Sequence, residues 1–170
     1  MAAAAHRLDM RIGSVDELFN AIDPAPFRER DLDPKAEEFI VSWAEELRAD
    51  GPLSLSVVIE RPTTHADATM LEEAIRGFFL QRALATRRRL THLMRRGRVS
   101  LLIGLAFLAV SIALGDLAAT ALGASRFAPI VRESLLIGGW VAMWRPLEIF
   151  LYDWWPIRAE ARRFDRLSVM

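Results

Sequence analysis

Two long apolar stretches in the second half of the chain constrain its fold more than any other feature. The first, residues 99–115, has 17 residues without a charge, and after Asp116 an uncharged run continues over residues 117–125. The second, residues 129–155, holds five charged residues, but its apolar side chains surround most of a helix. About 20 apolar residues suffice to cross the hydrocarbon core of a bilayer. We therefore predict membrane-spanning helices over residues 99–122 and 129–155, rather than buried helices of a soluble protein.

The distribution of arginine predicts the orientation of these helices. Seven Arg residues lie within residues 82–98 and four within residues 158–166, whereas the segment that joins the helices has only Arg126. Arg and Lys are enriched on the cytosolic side of membrane proteins, so both flanks are expected in the cytosol. The two helices then form a hairpin, and both the N-terminus and the C-terminus lie in the cytosol.

The N-terminal part differs from the rest in charge. Residues 1–73 carry 16 acidic and 7 basic residues, whereas residues 74–170 carry 6 acidic and 15 basic residues. Such an asymmetry is expected where an acidic soluble domain precedes a basic, membrane-proximal segment.

Local patterns predict two helices in this acidic part. Ser14 and Glu17 have the spacing of a capping box, which predicts a short helix over residues 15–21. Asp33 followed by Pro34 is a typical helix start. In the helix that follows, four residues fall at helical spacing and form one apolar stripe: Phe39, Ile40, Trp43 and Leu47.

A strand is predicted from the alternation of apolar and polar residues over 53–60. A single strand cannot satisfy its own backbone groups, so its partner is either residues 8–12 or a strand of a second copy. The proline-containing residues 23–31 are expected to form a linker, and residues 61–66 a loop.

From about Asp67 the apolar spacing is again helical. No proline follows Pro62 until Pro129, and no acid follows Glu73 until Asp116. This helix is therefore expected to continue into the first membrane span, with Gly97 as its hinge. The predicted fold class is mainly α: a two-transmembrane-helix hairpin preceded by a small cytosolic α/β domain and a long Arg-rich helix. The predicted domains are an acidic cytosolic domain (1–65), a basic amphipathic juxtamembrane helix (66–98), the transmembrane hairpin (99–155) and a basic cytosolic tail (156–170).

One pair of charges is predicted deep in the membrane. For a hairpin that turns near Arg126, residues whose numbers sum to about 252 share a depth. Arg145 then lies level with Phe107, roughly 13 Å beyond Arg98, and Glu148 follows at the i+3 spacing that allows pairing. An unpaired charge at that depth costs at least roughly 3 kcal/mol. The pair is either a structural lock or part of a proton, ion, lipid or partner contact.

A second pair is predicted nearer the outer face. Asp116 lies about two-thirds of the way across the bilayer, and Arg132 lies about four residues closer to the outer surface. An Arg side chain can cover that distance. Pro146, in the second span, removes a backbone donor and so frees the carbonyl of Ala142 to accept another hydrogen bond.

The residues flanking the membrane suggest contacts with lipid. Trp154 and Trp155 are expected to anchor the hairpin at the cytosolic interface, level with Arg98. The Arg-rich helix either contacts lipid headgroups, determines topology alone or docks the acidic N-terminal domain. The predicted headgroup contacts are Arg87, Arg88, Arg89, Arg95, Arg96 and Arg98.

The sequence has no pattern that predicts catalysis or cofactor binding. It contains no cysteine, and His6, His65 and His92 lack the spacing of metal ligands. Phosphate-binding glycine loops and hydrolase motifs are missing as well. We therefore expect no enzyme activity, no metal or other cofactor and no nucleic-acid partner.

The second span, over residues 138–156, and the preceding Arg-rich helix resemble those of uncharacterised small bacterial inner-membrane proteins with a cytosolic N-terminal domain. The resemblance implies a multi-pass inner-membrane location and no particular activity. The preference for Arg over Lys and the many Ala residues are typical of GC-rich bacterial genomes.

Two functions are compatible with these patterns. The first is a non-enzymatic accessory, scaffold or assembly protein, in which the hairpin anchors the chain in the lipid bilayer and the cytosolic domain binds a partner. The second is an oligomeric channel or transporter component, in which the intramembrane charges line a polar path. Either function predicts a homo-oligomer or a larger membrane complex, since one hairpin offers its charged faces few partners.

Overall fold

The computed structural model describes residues 6–20, 24, 30–47, 51–60, 65–123 and 125–170, with the backbone alone for residues 65–67. The chain is mainly helical and has two long apolar helices, as the sequence predicts, together with a small two-stranded parallel sheet. The elements are β1 (His6–Ile12), a 3₁₀ turn (Val15–Glu17), α1 (Pro34–Glu46), β2 (Leu53–Ile59), α2 (His65–Leu122), α3 (Phe127–Glu148), a π-helical segment (Ile149–Asp153) and α4 (Trp154–Leu167).

The chain divides into two compact units. Met1–Arg87 together with Arg158–Met170 forms the first, here named the sheet unit, and Arg88–Ile157 forms the second, the two-helix unit. The four segments predicted from the sequence, with boundaries after residues 65, 98 and 155, stay a prediction.

The sheet pairs two strands that lie far apart in the sequence. β1 and β2 run parallel, with Leu8 opposite Leu55 and Met10 opposite Val57. Parallel strands need a crossover connection, and α1 lies within it. Of the two partners considered for the strand, residues 8–12 are therefore the one observed, and the strand supplies no reason to invoke a second copy.

The helix predicted over residues 15–21 is wrong. Among the described residues 15–20, only one 3₁₀ turn forms, over Val15–Glu17, and the Ser14 side chain makes no capping hydrogen bond. Residue 21 of the predicted helix lies outside the described residues. The Glu17 carboxylate instead accepts a hydrogen bond from the backbone N–H of Gly13, at 3.0 Å. The helix ends early because backbone groups of the next residues bond to a later segment: the N–H of Asp33 donates to the carbonyl of Leu18 at 2.9 Å. The predicted linker 23–31 lies largely outside the described residues, as do residues 61–64 of the predicted loop.

α1 begins where the sequence predicts. The Asp33 side chain accepts from the backbone N–H of Lys35 at 2.9 Å, and Pro34 opens the helix. Its buried face agrees with the predicted stripe in part, since Trp43 and Leu47 pack against the core and Phe39 does not. Ile40 and Ala44 are buried, whereas Phe39 is 52% exposed.

The core of the sheet unit is completed by the first part of α2 and the last part of α4. Phe79 is fully buried and stacks on Phe164, with ring centroids 6.3 Å apart. Leu167 is fully buried as well. Residues predicted as a cytosolic tail therefore belong to this core, because their apolar side chains complete it.

Gly97 is not a hinge. α2 passes through it without interruption, and the residue is buried. A Cβ atom at this position would lie 2.8 Å from the Ile149 side chain and 3.3 Å from that of Phe150. The glycine is thus a point of close packing. The second long helix also departs from the prediction, since it continues beyond residue 155 to Leu167 through the π-helical segment.

Candidate functional site

Small residues line the contact between the helices of the two-helix unit. Gly97, Gly104 and Ser111 recur every seven residues on α2, and all three are buried. On α3, a Cβ atom at Gly139 would lie 2.7 Å from the Leu108 side chain and 3.3 Å from Ser111 Cβ. Small residues at a helix interface allow backbones to approach closely, as in membrane helices. A spacing of seven residues keeps these small residues on one face of the helix. This spacing is visible in the sequence and could have predicted the helix contact, which the sequence analysis did not identify.

The register of this contact differs from the predicted one. Gly97 meets Phe150, Gly104 meets Met143, and Gly115 meets Arg132. The residue numbers of each pair sum to 247, whereas a turn near Arg126 predicts about 252. The reversal begins earlier, because α2 ends at Leu122 and Gly123 adopts a positive φ of 54°.

Arg145 lies between two carboxylates. Its guanidinium contacts Glu148 at 2.7 Å, as the i+3 spacing predicts, and Asp153 at 3.7 Å. The corrected register places Arg145 level with Leu102, about four residues or roughly 6 Å beyond Arg98. The predicted level of Arg145, with Phe107 and roughly 13 Å beyond Arg98, therefore differs from the observed one.

A π-helical segment explains the contact with Asp153. In an uninterrupted α-helix, a residue eight positions beyond Arg145 would lie about 80° around the axis. A π-turn inserts one residue and brings position 153 to within about 20°. The indole N–H of Trp154 donates to the carbonyl of Phe150 at 2.8 Å, an oxygen that an α-helix would pair with the backbone N–H of residue 154. Helical spacing alone does not reveal this contact.

The carbonyl freed by Pro146 faces the neighbouring helix. Pro146 cannot donate to the oxygen of Ala142. A Cβ atom at Gly104 would lie 3.1 Å from that oxygen, so the Cα of Gly104 approaches it closely. Cα–H···O contacts of this kind recur at helix–helix interfaces.

Asp116 and Arg132 form the second predicted pair. Their charged groups lie 3.2 Å apart, and both side chains are more than half exposed. Gly115, the neighbour of Asp116, packs against the Arg132 backbone. Asp116 and Arg132 therefore lie at nearly the same level along the two helices, and the predicted offset of four residues between them is wrong. They line a cavity of about 550 Å³ together with Glu133 and with small or apolar residues of both helices.

The predicted headgroup contacts fall into different surroundings. Arg87 belongs to the sheet unit and pairs with Asp165 at 2.7 Å. Arg89 and Arg96 line a groove in the two-helix unit. The remaining three are exposed on α2: Arg88, Arg95 and Arg98.

The aromatic pair lies at a different level from the predicted one. The rings of Trp154 and Trp155 are 5.7 Å apart, and Trp155 is 64% exposed. Their neighbours Asp153 and Pro156 share a groove with His92, Leu93 and Arg96, so Trp154 is level with residues around 93 rather than with Arg98.

Two acidic residues of α1 pair with arginines within the sheet unit. Glu37 pairs with Arg82 at 2.6 Å, and Glu45 pairs with Arg163. These contacts support docking of acidic residues on Arg-bearing helices as one role of the basic residues. No group of three or more His, Asp or Glu residues that could hold a metal ion occurs in the described part of the chain.

Comparisons with models of protein families, with curated proteins and with solved structures found no match. The resemblance to small bacterial inner-membrane proteins therefore stays a prediction.

Proposed function

We propose that the two-helix unit spans a membrane and anchors a non-enzymatic accessory or scaffold protein, whose sheet unit binds a partner in the cytosol. The observation that supports the membrane location is exposure. In the most apolar windows of the two long helices, only 17% and 22% of the residues are buried. A core helix of a soluble protein would be mostly buried. Leu102, Ile137 and Trp144 are each more than 60% exposed, as lipid-facing side chains would be.

The packing within the two-helix unit supports a hairpin. The contacting pairs run in opposite order along α2 and α3, from Gly97 with Phe150 to Gly115 with Arg132. A hairpin returns the chain to its side of entry, which suits the Arg-rich flanks on both sides. The proposed location is the inner membrane of a bacterium, with both ends in the cytosol.

A groove on the sheet unit supports partner binding. It has a volume of about 420 Å³, and its lining combines β2 residues such as Val57 and Ile59 with Leu71 and Ile75 of α2. Arg76 and Glu72, which pair at 2.7 Å, contribute a polar side. An apolar surface with a charged edge suits a short amphipathic segment of another protein.

Cysteine accessibility tests the topology. The chain lacks cysteine, so single Cys substitutions at Val58, Phe127 and Val169 report one site each. These three positions are exposed. In intact cells of an expression host with the outer membrane permeabilised, a membrane-impermeant maleimide should label only Phe127→Cys. The other two should react only after the inner membrane is opened. Labelling of all three in intact cells, or of none, contradicts the hairpin.

The charged clusters favour a second candidate, an oligomeric channel or transporter component. Arg145 and Glu148 remain about half exposed on the surface of the two-helix unit, and charges at membrane depth face polar surroundings. The shallow level of Arg145 weakens this candidate, because a long side chain near a helix end can reach the interface. Native mass spectrometry after gentle solubilisation separates the two: a stoichiometric partner protein supports the accessory role, and a homo-oligomer alone supports the channel.

A further inference from the structure

A basic groove lies where α2 meets the π-helical segment and α4 within the two-helix unit. Its volume is about 530 Å³. Arg89, His92 and Arg96 line one side, from consecutive turns of α2. Tyr152 and Pro156 lie on the opposite side. The groove therefore presents three basic side chains on one wall.

The chemistry of the lining suits a phosphate attached to an apolar group. Guanidinium groups bind phosphate oxygens through charge-assisted, often bidentate hydrogen bonds. Leu93 and Ile157 contribute apolar surface to the lining. Its one acidic residue, Asp153, lies 3.7 Å from Arg145, which offsets its charge.

The level of the groove matches the headgroup zone, provided that the two-helix unit spans a membrane as proposed above. Arg96 lies three residues before Val99, the first residue of the uncharged stretch, which is roughly 4.5 Å along the helix. His92 lies about 10 Å before Val99 by the same measure. The interfacial region of a bilayer is about 5–8 Å thick on each side. A lipid phosphate would thus lie near Arg96 and within reach of the His92 side chain.

We propose that this groove binds the phosphate headgroup of an anionic phospholipid, with Arg96 as the principal contact and His92 and Arg89 in support. Arg95 and Arg96, which look equivalent in the sequence, differ in their relation to the groove. Arg95 is exposed on the same helix, one residue from Arg96, but it does not line the groove. The two residues therefore provide a matched pair.

The test compares Arg96→Gln with Arg95→Gln in the purified full chain. Native mass spectrometry measures retention of dioleoylphosphatidylglycerol and dioleoylphosphatidylcholine, which share acyl chains. The unmodified protein and Arg95→Gln should both retain phosphatidylglycerol in preference to phosphatidylcholine. Arg96→Gln should bind phosphatidylglycerol about tenfold more weakly, the loss expected for one charge-assisted contact. Equal losses in the two variants would overturn the proposal in favour of a diffuse basic surface.

Two competition experiments identify the kind of molecule that carries the bound phosphate. Inorganic phosphate at millimolar concentration should not displace the lipid, and a short single-stranded oligonucleotide should not compete for Arg96. Displacement by either would overturn the proposal, in favour of a free-anion site or a nucleic-acid site respectively. His92→Gln, a second variant, should lose affinity by a smaller factor than Arg96→Gln. Equal melting temperatures of the variants confirm that each is folded.

The same variants separate this inference from the proposed function. Arg96→Gln should give the maleimide-labelling pattern of the unmodified chain, because topology depends on many arginines. Correct labelling without any preference for phosphatidylglycerol overturns the groove proposal alone. Failure of the unmodified chain to show the hairpin labelling pattern overturns the proposed membrane location, and the groove proposal with it.

Discussion

The guanidinium of Arg145 lies 3.7 Å from the carboxylate of Asp153, eight residues later along the same helical segment. The intervening π-helical turn makes this approach possible. The shorter contact between Arg145 and Glu148 is therefore part of a cluster of three charges, not an isolated ion pair. Arg145 is the shared partner of two carboxylates, so removing the arginine and removing one acid are not equivalent changes.

We predict that Arg145→Leu lowers the melting temperature more than Glu148→Leu does. The first substitution leaves two neighbouring carboxylates without their cation, whereas the second leaves Arg145 with Asp153. The double variant Arg145→Leu/Glu148→Leu should regain part of the loss, and adding Asp153→Asn should regain more, because replacing all members of a charged cluster is often tolerated. Thermal denaturation in detergent measures each step. Strict additivity of the single effects would contradict the shared cluster.

A second prediction concerns neighbouring glycines on α3. A Cβ atom at Gly139 would lie 2.7 Å from a Leu108 side-chain carbon and 3.3 Å from its Cα, whereas one at Gly138 would meet nothing within 4 Å. Gly139→Ala should therefore destabilise the two-helix unit by about 1–3 kcal/mol, the usual cost of overpacking. Gly138→Ala should be neutral or slightly stabilising, since Ala favours helix more than Gly by about 1 kcal/mol.

Unfolding of the two glycine variants in mixed micelles with a rising fraction of a denaturing detergent measures the difference in their stability. Equal stability of Gly139→Ala and Gly138→Ala would contradict the close packing of α3 against α2 at this position. A Leu108→Ala substitution, which removes the nearest carbon, should relieve part of the Gly139→Ala defect.

The helical part of the fold was largely predictable, and its register was not. Long uncharged stretches determine where apolar helices lie, and the pair of Arg145 with Glu148 follows from i+3 spacing. The register of α2 against α3 depends on the turn, where the positive φ of Gly123 starts the reversal a few residues before Arg126. A π-turn shifts the helical spacing by one residue and has no composition of its own to mark it. The α-helical pattern of the sequence therefore does not indicate Asp153 as a partner of Arg145.

A third prediction concerns the core of the sheet unit. Phe79 is fully buried, between Phe78 and Phe164. Phe79→Ala should cost about 3–5 kcal/mol of stability, the range for truncating a buried aromatic residue. Phe39→Ala is the matched control, because Phe39 is 52% exposed, and its effect should stay within about 0.5 kcal/mol. Hydrogen exchange of the β1 and β2 amides measures both; equal protection in the two variants would contradict the assigned core.

The sheet unit illustrates why short elements are harder to predict than long ones. Apolar alternation identified β2, but its pairing with β1 joins residues more than 40 positions apart, a contact that local patterns do not encode. The same holds for Phe164 and Leu167, whose apolar side chains complete a core formed by much earlier residues. Their high local density of Arg favoured an exposed tail instead.

The last prediction concerns the ion pair between α1 and α2. Arg82 contacts Glu37 at 2.6 Å, and its guanidinium also lies 5.1 Å from the centre of the Phe78 ring. Because the Arg82 side chain is about half exposed, the ion pair should contribute no more than about 1 kcal/mol. The ring contact should add about 0.5–1 kcal/mol.

Glu37→Gln should therefore destabilise the sheet unit slightly, and Glu38→Gln, one residue away on the exposed surface, should have no effect. Arg82→Gln should cost more than Glu37→Gln, since it removes both the ion pair and the contact with Phe78. The reversed pair, Glu37→Arg/Arg82→Glu, should recover the electrostatic part and still lack the ring contact.

Hydrogen exchange of α1 amides at low and high salt measures these differences. Raising the salt concentration should reduce the effect of Glu37→Gln and leave most of the additional loss in Arg82→Gln, because screening acts on the exposed ion pair more than on the ring contact. Equal losses in Glu37→Gln and Arg82→Gln would show that the contact with Phe78 contributes nothing.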